Sequence, residues 1–276
     1  MTPLSGYRHR VIGFLTDYGL ADEFVGVCHG VMHRVAPEAT VIDISHGIAP
    51  HDVVAGAVVL ARAVGYLPTC VQLAVVDPGV GSSRLGVVIV TGDGSYLVGP
   101  DNGLLLPAAE RLGGATECYA LENRGLQAST VSATFHGRDI FCPAAAHLAR
   151  GVEPSRFGPE VALGELVRVA IPGAEVTAGR CAGVVLSVDR FGNVETSIEP
   201  ADMAAAGLSP GAGLRVTVGD QRLTASYGRT FADAAPGALV VLEDSRGLLA
   251  VCLNQASAAA RYGATPGTAV VLERPL

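Results

Sequence analysis

Residues 11–44, VIGFLTDYGLADEFVGVCHGVMHRVAPEATVIDI, change hydrophobic period twice, and the architecture follows from that change. Val11–Leu15 is a continuous apolar run of the length of a buried strand. From Asp22 to Val35 the apolar residues Phe24, Val27, Cys28, Val31, Met32 and Val35 recur at three- and four-residue spacing, which predicts a helix that Pro37 stops. Val41–Ile44 returns to a short strand. The same alternation continues outward, with a helix over Val53–Tyr66 closed by Pro68 and a second buried strand over Val71–Val76. Strands at Gly86–Thr91 and Tyr96–Val98 follow, with helices near Leu104–Leu112 and Ile140–Arg150. Strand and helix in turn predict an α/β domain with a mostly parallel sheet covered by helices on both faces.

The pattern dissolves in residues 151–179, where Pro and Gly punctuate the chain as in a linker. Beyond it come short strands and almost no long helix: Cys181–Val188, Leu214–Val218, Gln221–Ser226, Leu239–Glu243, Leu248–Leu253 and Ala269–Glu273. These predict a smaller all-β, barrel-like domain. The expected organisation is an α/β domain over residues 1–165, a linker to about 179 and a β-barrel over 180–276.

Composition narrows the function. With 49% hydrophobic and 16% charged residues, the 276-residue chain is apolar enough to raise the question of a membrane. Its longest apolar run, residues 53–61, ends at Arg62, far short of the roughly 18–20 residues a span requires. The formal net charge is −7 and no run of basic residues exceeds two, which argues against a nucleic-acid surface and for small-molecule chemistry. No lysine occurs, so Schiff-base and P-loop lysine chemistry is excluded. The six cysteines stand singly without a C-x-x-C pair, as reduced buried thiols do. After Arg8, His9 and Arg10 the apolar run is too short for a secretory signal, so a cytoplasmic location is expected.

Several motifs carry chemistry. FLTDYG sets Asp17 just beyond the first strand, at the edge where open α/β sheets bind ligands; there it is either a hydrogen-bond acceptor for a ribose diol or a cap at the strand exit. VVDPGVGSSRLG, residues 75–86, looks like a phosphate-cradling loop but matches neither glycine-rich nucleotide signature, and Asp77 at its mouth repels phosphate. Pro78 and the glycines permit a tight return that brings Asp77 and Arg84 together, either as a structural ion pair or as part of a site. TFHGRDIF places His136 ahead of a helix. If it meets Asp77 and Arg84, the three could bind and activate a water. VDRFGNVETS gathers Asp189, Phe191 and Asn193 at a turn, and EDSRG sets Ser245 and Arg246 at another. An Arg with Ser suits a carboxylate and an Asp suits an ammonium, the two ends of an amino acid. His29 and His33 share a helical face, but no third ligand pattern accompanies them, Cys28 points elsewhere, and His46 and His51 have no firmer claim. No metal is therefore expected.

In order along the chain, FLTDYG, VVDPGVGSSR, GPDNG, TFHGRDIF, VDRFGN and DSRG resemble the S-adenosylmethionine hydroxide adenosyltransferases, relatives of the fluorinase and chlorinase enzymes. The resemblance implies a homotrimer with S-adenosylmethionine held, as substrate and not as cofactor, between one subunit's N-terminal domain and its neighbour's C-terminal domain. It implies that Asp17 holds the ribose hydroxyls and that Asp77, Arg84 and His136 form a water-binding triad. Asp189, Ser245 and Arg246 would grip the methionine end. Phe191 and Asn193 would line the adenine pocket, with Phe231 a stacking aromatic and the backbone near Asn254 and Gln255 reading the adenine edge. Halogenating relatives carry a Tyr and a Thr where this chain has DPGVG. The fluorinase has a Ser at the position of Gly137 and an additional loop with no counterpart between Arg84 and GPDNG. These departures imply water as nucleophile and adenosine with L-methionine as products. A halide-using enzyme and a non-catalytic sensor of S-adenosylmethionine or adenosine are the competing readings.

Overall fold

The alternating periods fold as strands threaded between helices; the structure, a computed structural model, describes residues 8–275. In chain order the first half forms β1 (Val11–Thr16), α1 (Phe24–Val35), β2 (Thr40–Ser45), α2 (Val53–Ala63), β3 (Val71–Val75), β4 (Gly86–Thr91), β5 (Tyr96–Pro100), α3 (Leu106–Arg111), β6 (Ala115–Ala120) and α4 (Cys142–Ala149). The sheet order is β2-β1-β3-β5-β4-β6. β2, β1, β3 and β5 run parallel, while β4 is antiparallel to both β5 and β6. The sheet is therefore mixed, with its parallel part at the site-bearing end.

Successive residues of a strand face opposite sides, and both sides here are buried. Phe14 and Leu73 pack with residues of α1 and α4 on one face, whereas Leu15 and Ala74 pack with α2 and α3 on the other. This explains why β1 and β3 read as unbroken apolar runs. From β1 the chain passes through α1 to β2 on one side, then through α2 to β3 on the other. The carboxyl ends of β1 and β3 consequently flank a topological switch point, where a crevice opens in sheets of this kind.

The division into compact units falls between Ala170 and Ile171. The second unit comprises β7 (Glu175–Thr177), β8 (Arg180–Val188), β9 (Val194–Thr196), α5 (Pro200–Ala205), β10 (Gly213–Val218), β11 (Gln221–Tyr227), β12 (Leu239–Glu243), β13 (Leu249–Leu253), α6 (Ala258–Tyr262) and β14 (Ala269–Glu273). The order β14-β10-β11-β12-β13-β9-β8 closes through a β14–β8 pairing, giving a seven-stranded barrel, and β7 adds outside it to β8. Val185, Val216, Val241, Val251 and Leu272 fill its core.

Some elements escape the hydrophobic pattern for identifiable reasons. β6, with sequence ATECYA, is an edge strand of weak strand formers and exposes Thr116 and Glu117. β9 is three residues long, too short to show a period. α5 is announced by polar signals instead: Pro200 at its first position and a reciprocal capping box between Glu199 and Asp202. No described helix is long and apolar enough to cross a membrane.

Leu73 is fully buried at the centre of the parallel strands. Leu73→Ala is expected to cost about 2–5 kcal/mol, measured as a lowered transition of the first unit in a calorimetric scan.

Candidate active site

β3 delivers Asp77 to the switch point, and the side chain of Asn102 in GPDNG donates to Val76 O at 2.8 Å, pinning the strand exit. The following turn folds on itself through Ser82 N–H to Gly79 O (3.1 Å) and Ser82 Oγ to the same carbonyl (2.6 Å). Gly81 adopts φ +78°, and a Cβ there would lie 2.5 Å from Ala133 O, so only glycine fits. The chain returns at Arg84, whose Nε donates to both Asp77 oxygens at 3.0 and 3.1 Å while Nη2 donates to Oδ2. The pair is nearly out of solvent, at 12% exposure for the Arg84 side chain and 6% for Asp77. Arg84 also lies over the Phe141 ring.

Arg84 Nη2 is 2.9 Å from His136 Nδ1, so Asp77, Arg84 and His136 meet. A guanidinium has only donors. Nδ1 must therefore accept, and the proton of the neutral ring belongs on Nε2. Burial and the Arg84 charge hold His136 below the ordinary imidazole range, which favours that neutral form. His136 caps a π-helical turn over Gly137–Phe141 that runs into α4. Behind it Asp139, 2% exposed, binds the guanidinium of Arg138 at 2.7 and 2.9 Å and accepts from Ser132 N–H at 2.8 Å. Burial opposes ionisation of Asp139, but these donors prevail and its pKa falls below the usual value. A Cβ on Gly137 would lie 2.0 Å from the Tyr18 hydroxyl, so that hydroxyl occupies the space of any side chain at 137.

Asp17 emerges from β1 half-buried and accepts the His51 N–H at 2.9 Å. His51 takes φ +69°, an unusual conformation for a residue with a Cβ and a local cost that aims its amide at the carboxylate. Asp17, Asp77 and His136 line one cavity of about 550 Å³, with Tyr18, Phe24 and Phe135 as its aromatic wall. The three rings meet edge-on, with centroids 5.2–6.1 Å apart. Arg84 does not line this cavity and holds the other two members of the triad from outside it.

The C-terminal unit has a separate cavity of about 490 Å³, lined in part by Asp189, Phe191, Asn193, Phe231, Ser245 and Arg246. Asp189 accepts from Phe191 N–H (2.8 Å), Asn193 N–H (2.9 Å) and Asn193 Nδ2 (2.7 Å), so most of its acceptor capacity holds its own turn. Gly192 permits that turn at φ +83°, and a Cβ there would strike Ser257. Phe191 and Phe231 stand 78% and 42% exposed, an unusual outlay of aromatic surface. Arg246 pairs with Glu195, a 3%-exposed carboxylate that Ser187 Oγ also bonds. The neighbouring Asp244 accepts two turn amides at Oδ1, while its buried Oδ2 makes no hydrogen bond. Asn254 and Gln255 follow β13 without lining the cavity. Asn254 bonds Ala234 O through Nδ2 (2.7 Å) and commits its backbone to Gly237 and Ala238, and Gln255 adopts φ +62°.

Residues absent from the sequence reading are those whose role depends on distant contacts. Glu195 gives no local signal, because Ser187 comes from another strand and Arg246 from the turn between β12 and β13. Tyr18 and Phe135 sit inside quoted motifs, yet nothing in those motifs says that they share a wall. All six cysteines are free and buried, and burial pushes Cys118 and Cys252 up to about 12, which leaves those two thiols protonated at neutral pH.

Comparison with known proteins shows the family. Residues 12–158 match the SAM hydroxide adenosyltransferase N-terminal domain, and residues 183–271 match the C-terminal domain of the same family. The (R)-S-adenosyl-L-methionine hydrolase of Salinispora tropica is 50% identical over 258 residues, covering 93% of this chain and 95% of that protein. The enzyme of the same name from Thermus thermophilus is 39% identical, over 95% and 99% of the two chains. A fluorinase from Actinopolyspora mzabensis is more distant, at 31% identity over 97% and 98%. Among solved structures, an uncharacterized conserved protein from Thermotoga maritima superposes with a TM-score of 0.88 at 38% identity, covering 95% of this chain and all of that one. With both domain profiles matched in order, the chain belongs to the SAM hydroxide adenosyltransferase family.

Proposed function

We propose that this protein hydrolyses S-adenosylmethionine to adenosine and L-methionine. The observation that carries the reading is the meeting of Asp77, Arg84 and His136 beside a cavity that Asp17 also lines. In the reaction a water oxygen attacks C5′ of the ribose as the C5′–S bond breaks. The bonding electrons go to sulfur, methionine leaves as a neutral thioether, and the water surrenders a proton. Such a leaving group needs no acid, so the protein's task is to hold a dehydrated oxygen in line.

The hydrogen-bond pattern divides that task. His136 Nε2–H is the donor left to orient a water. Asp77 retains lone pairs beyond those taken by Arg84 and is the acceptor for the water's proton. Arg84 holds both in register and places a positive charge next to a developing hydroxide. Asp17 suits the ribose diol. Tyr18, whose hydroxyl fills the space at Gly137, supports water over halide, because a serine at 137 would have to displace that hydroxyl.

For the methionine and adenine ends we assign Asp189, Phe191, Asn193, Phe231, Ser245, Arg246, Asn254 and Gln255. The C-terminal cavity of one copy would complete the N-terminal cavity of another in a homotrimer. The exposed Phe191 and Phe231 support such an occupied surface. The six unpaired cysteines support a cytoplasmic setting.

Incubation with S-adenosylmethionine in heavy-oxygen water, with and without chloride or fluoride, is expected to place heavy oxygen at O5′ of adenosine. A 5′-halo nucleoside, or tight binding without turnover, overturns the reading. Asp77→Asn keeps the shape of the triad and is expected to lower kcat about 10²–10⁴-fold with little change in KM; an equal loss of binding makes the triad structural. Because the neutral form of His136 is the working one and its pKa is lowered, kcat/KM should hold steady as pH falls to about 6.5, the unperturbed imidazole value. It should decline only below that, as His136 gains a proton and opposes Arg84. The acid limb should vanish in His136→Gln, as read from pH–rate profiles.

A further inference from the structure

Helical spacing sets His29 beside His33, but the fold sets it beside Asp43 of β2 and His46, just beyond that strand. His29 Nε2 lies 2.8 Å from Asp43 Oδ1, and His46 Nε2 lies 3.0 Å from the same oxygen. The three atoms fall within 4.8 Å of one another. We propose that His29, Asp43 and His46 bind a divalent transition-metal ion, with Zn²⁺ the best match to two imidazoles and one carboxylate.

The decisive group is His46. Its side chain is only 3% exposed, and its Nε2 is buried without a hydrogen bond although Asp43 Oδ1 is close. A nitrogen and an oxygen 3.0 Å apart that are not aligned along an N–H···O axis have the relation of two ligands converging on a third point. A buried nitrogen that meets its carboxylate neighbour without an aligned hydrogen bond is incompletely satisfied, and a metal in the space between these groups would engage both. The other ring nitrogen, Nδ1, is 2.8 Å from Thr16 Oγ1, the kind of outer contact that fixes ring orientation and leaves Nε2 free to ligate. Phe14 packs against both imidazoles, with centroids 4.8 Å from His46 and 5.9 Å from His29.

The site is also accessible. The His29 and Asp43 side chains are 35% and 46% exposed, which leaves a path for the ion and room for a water as fourth ligand. Tetrahedral zinc with bonds of about 2.0–2.1 Å sets its ligands roughly 3.3 Å apart. The two nitrogen–oxygen separations, 2.8 and 3.0 Å, lie just inside that value, and the exposed His29 and Asp43 side chains can rotate to adjust the set.

Occupancy would tie α1 to the exits of two strands. Thr16 Oγ1 accepts the Tyr18 N–H at 3.1 Å, and His46 O accepts the Gly19 N–H at 2.7 Å, so His46 grips the segment carrying Asp17 at both ends. The ion is thus a clamp on the ribose-binding edge, and no step of the hydrolysis passes through it.

The test is a calorimetric titration of tag-free, chelator-treated full-length protein with Zn²⁺ at neutral pH, with Co²⁺ and its visible absorption as a probe of geometry. One equivalent should bind with micromolar or tighter affinity and raise the melting temperature. His29→Gln and Asp43→Asn, both at partly exposed positions where folding is retained, should each weaken binding at least tenfold and abolish the thermal shift. His33→Gln should leave both unchanged. Absence of binding up to millimolar Zn²⁺, or binding that survives both ligand substitutions, overturns the proposal.

Discussion

The forked ion pair between Asp77 and Arg84 is the contact on which the arrangement at the switch point depends. Two charges withdrawn from water to this degree carry a desolvation cost that their attraction only roughly offsets, so the pair is a poor source of stability. What it supplies is position. Nε and Nη2 both engage Asp77, and Nη2 also meets His136, so one guanidinium sets the separation and the tautomer of two other residues. Loss of the arginine would leave a buried carboxylate unpaired, at about 3–5 kcal/mol. The turn of residues 78–83 exists to make this return possible, and its tightest point, Gly81, is packed against the segment that leads to His136.

That arrangement needs a rigid base, which the parallel strands provide. β1 and β3 are buried on both faces and pair directly, so Asp17 and Asp77 leave the sheet from neighbouring rails. His136 arrives from a third direction, through a π-helical turn stabilised by Asp139 and Arg138. A π turn shifts the register of the side chains that follow relative to an α-helix. Backbone strain is borne at the site by the left-handed His51, and β1 shifts register against β2 between Phe14 and Leu15, just ahead of Asp17.

How far this was legible in the sequence depended on the range of the contacts. β1, α1, β3 and the barrel strands were readable because burial imposes a period on consecutive residues. Asp77 and Arg84 were readable as a pair because a separation of seven residues holding Pro78 and two glycines makes a turn. The antiparallel placement of β4 between β5 and β6 was not readable, since strand order is a choice among partners that no single strand records. Likewise Glu195 looks like one more surface acid in VETS; only the pairing of β9 with β8 and β13 buries it against Ser187 and Arg246. Family resemblance supplied roles for Asp189 and Asn254. The fold adds that Asp189 already holds its own turn and that the Asn254 side chain already bonds Ala234 O, commitments that motif matching cannot reveal.

The absence of lysine then acquires a physical sense. Four of the buried or half-buried carboxylates, Asp77, Asp139, Glu195 and Glu273, meet an arginine: Arg84, Arg138, Arg246 and Arg215. A planar fork can engage both oxygens of a carboxylate, or one oxygen and a further acceptor, and it stays charged when desolvated, whereas a buried ammonium tends to lose its proton. Arg84 uses this property most fully, because it binds Asp77 with two nitrogens and still offers a donor to His136. A lysine at 84 also has donors for more than one partner, but its rotating ammonium would not fix them in one plane. The chemistry at this edge therefore rests on the geometry of the guanidinium as much as on its charge.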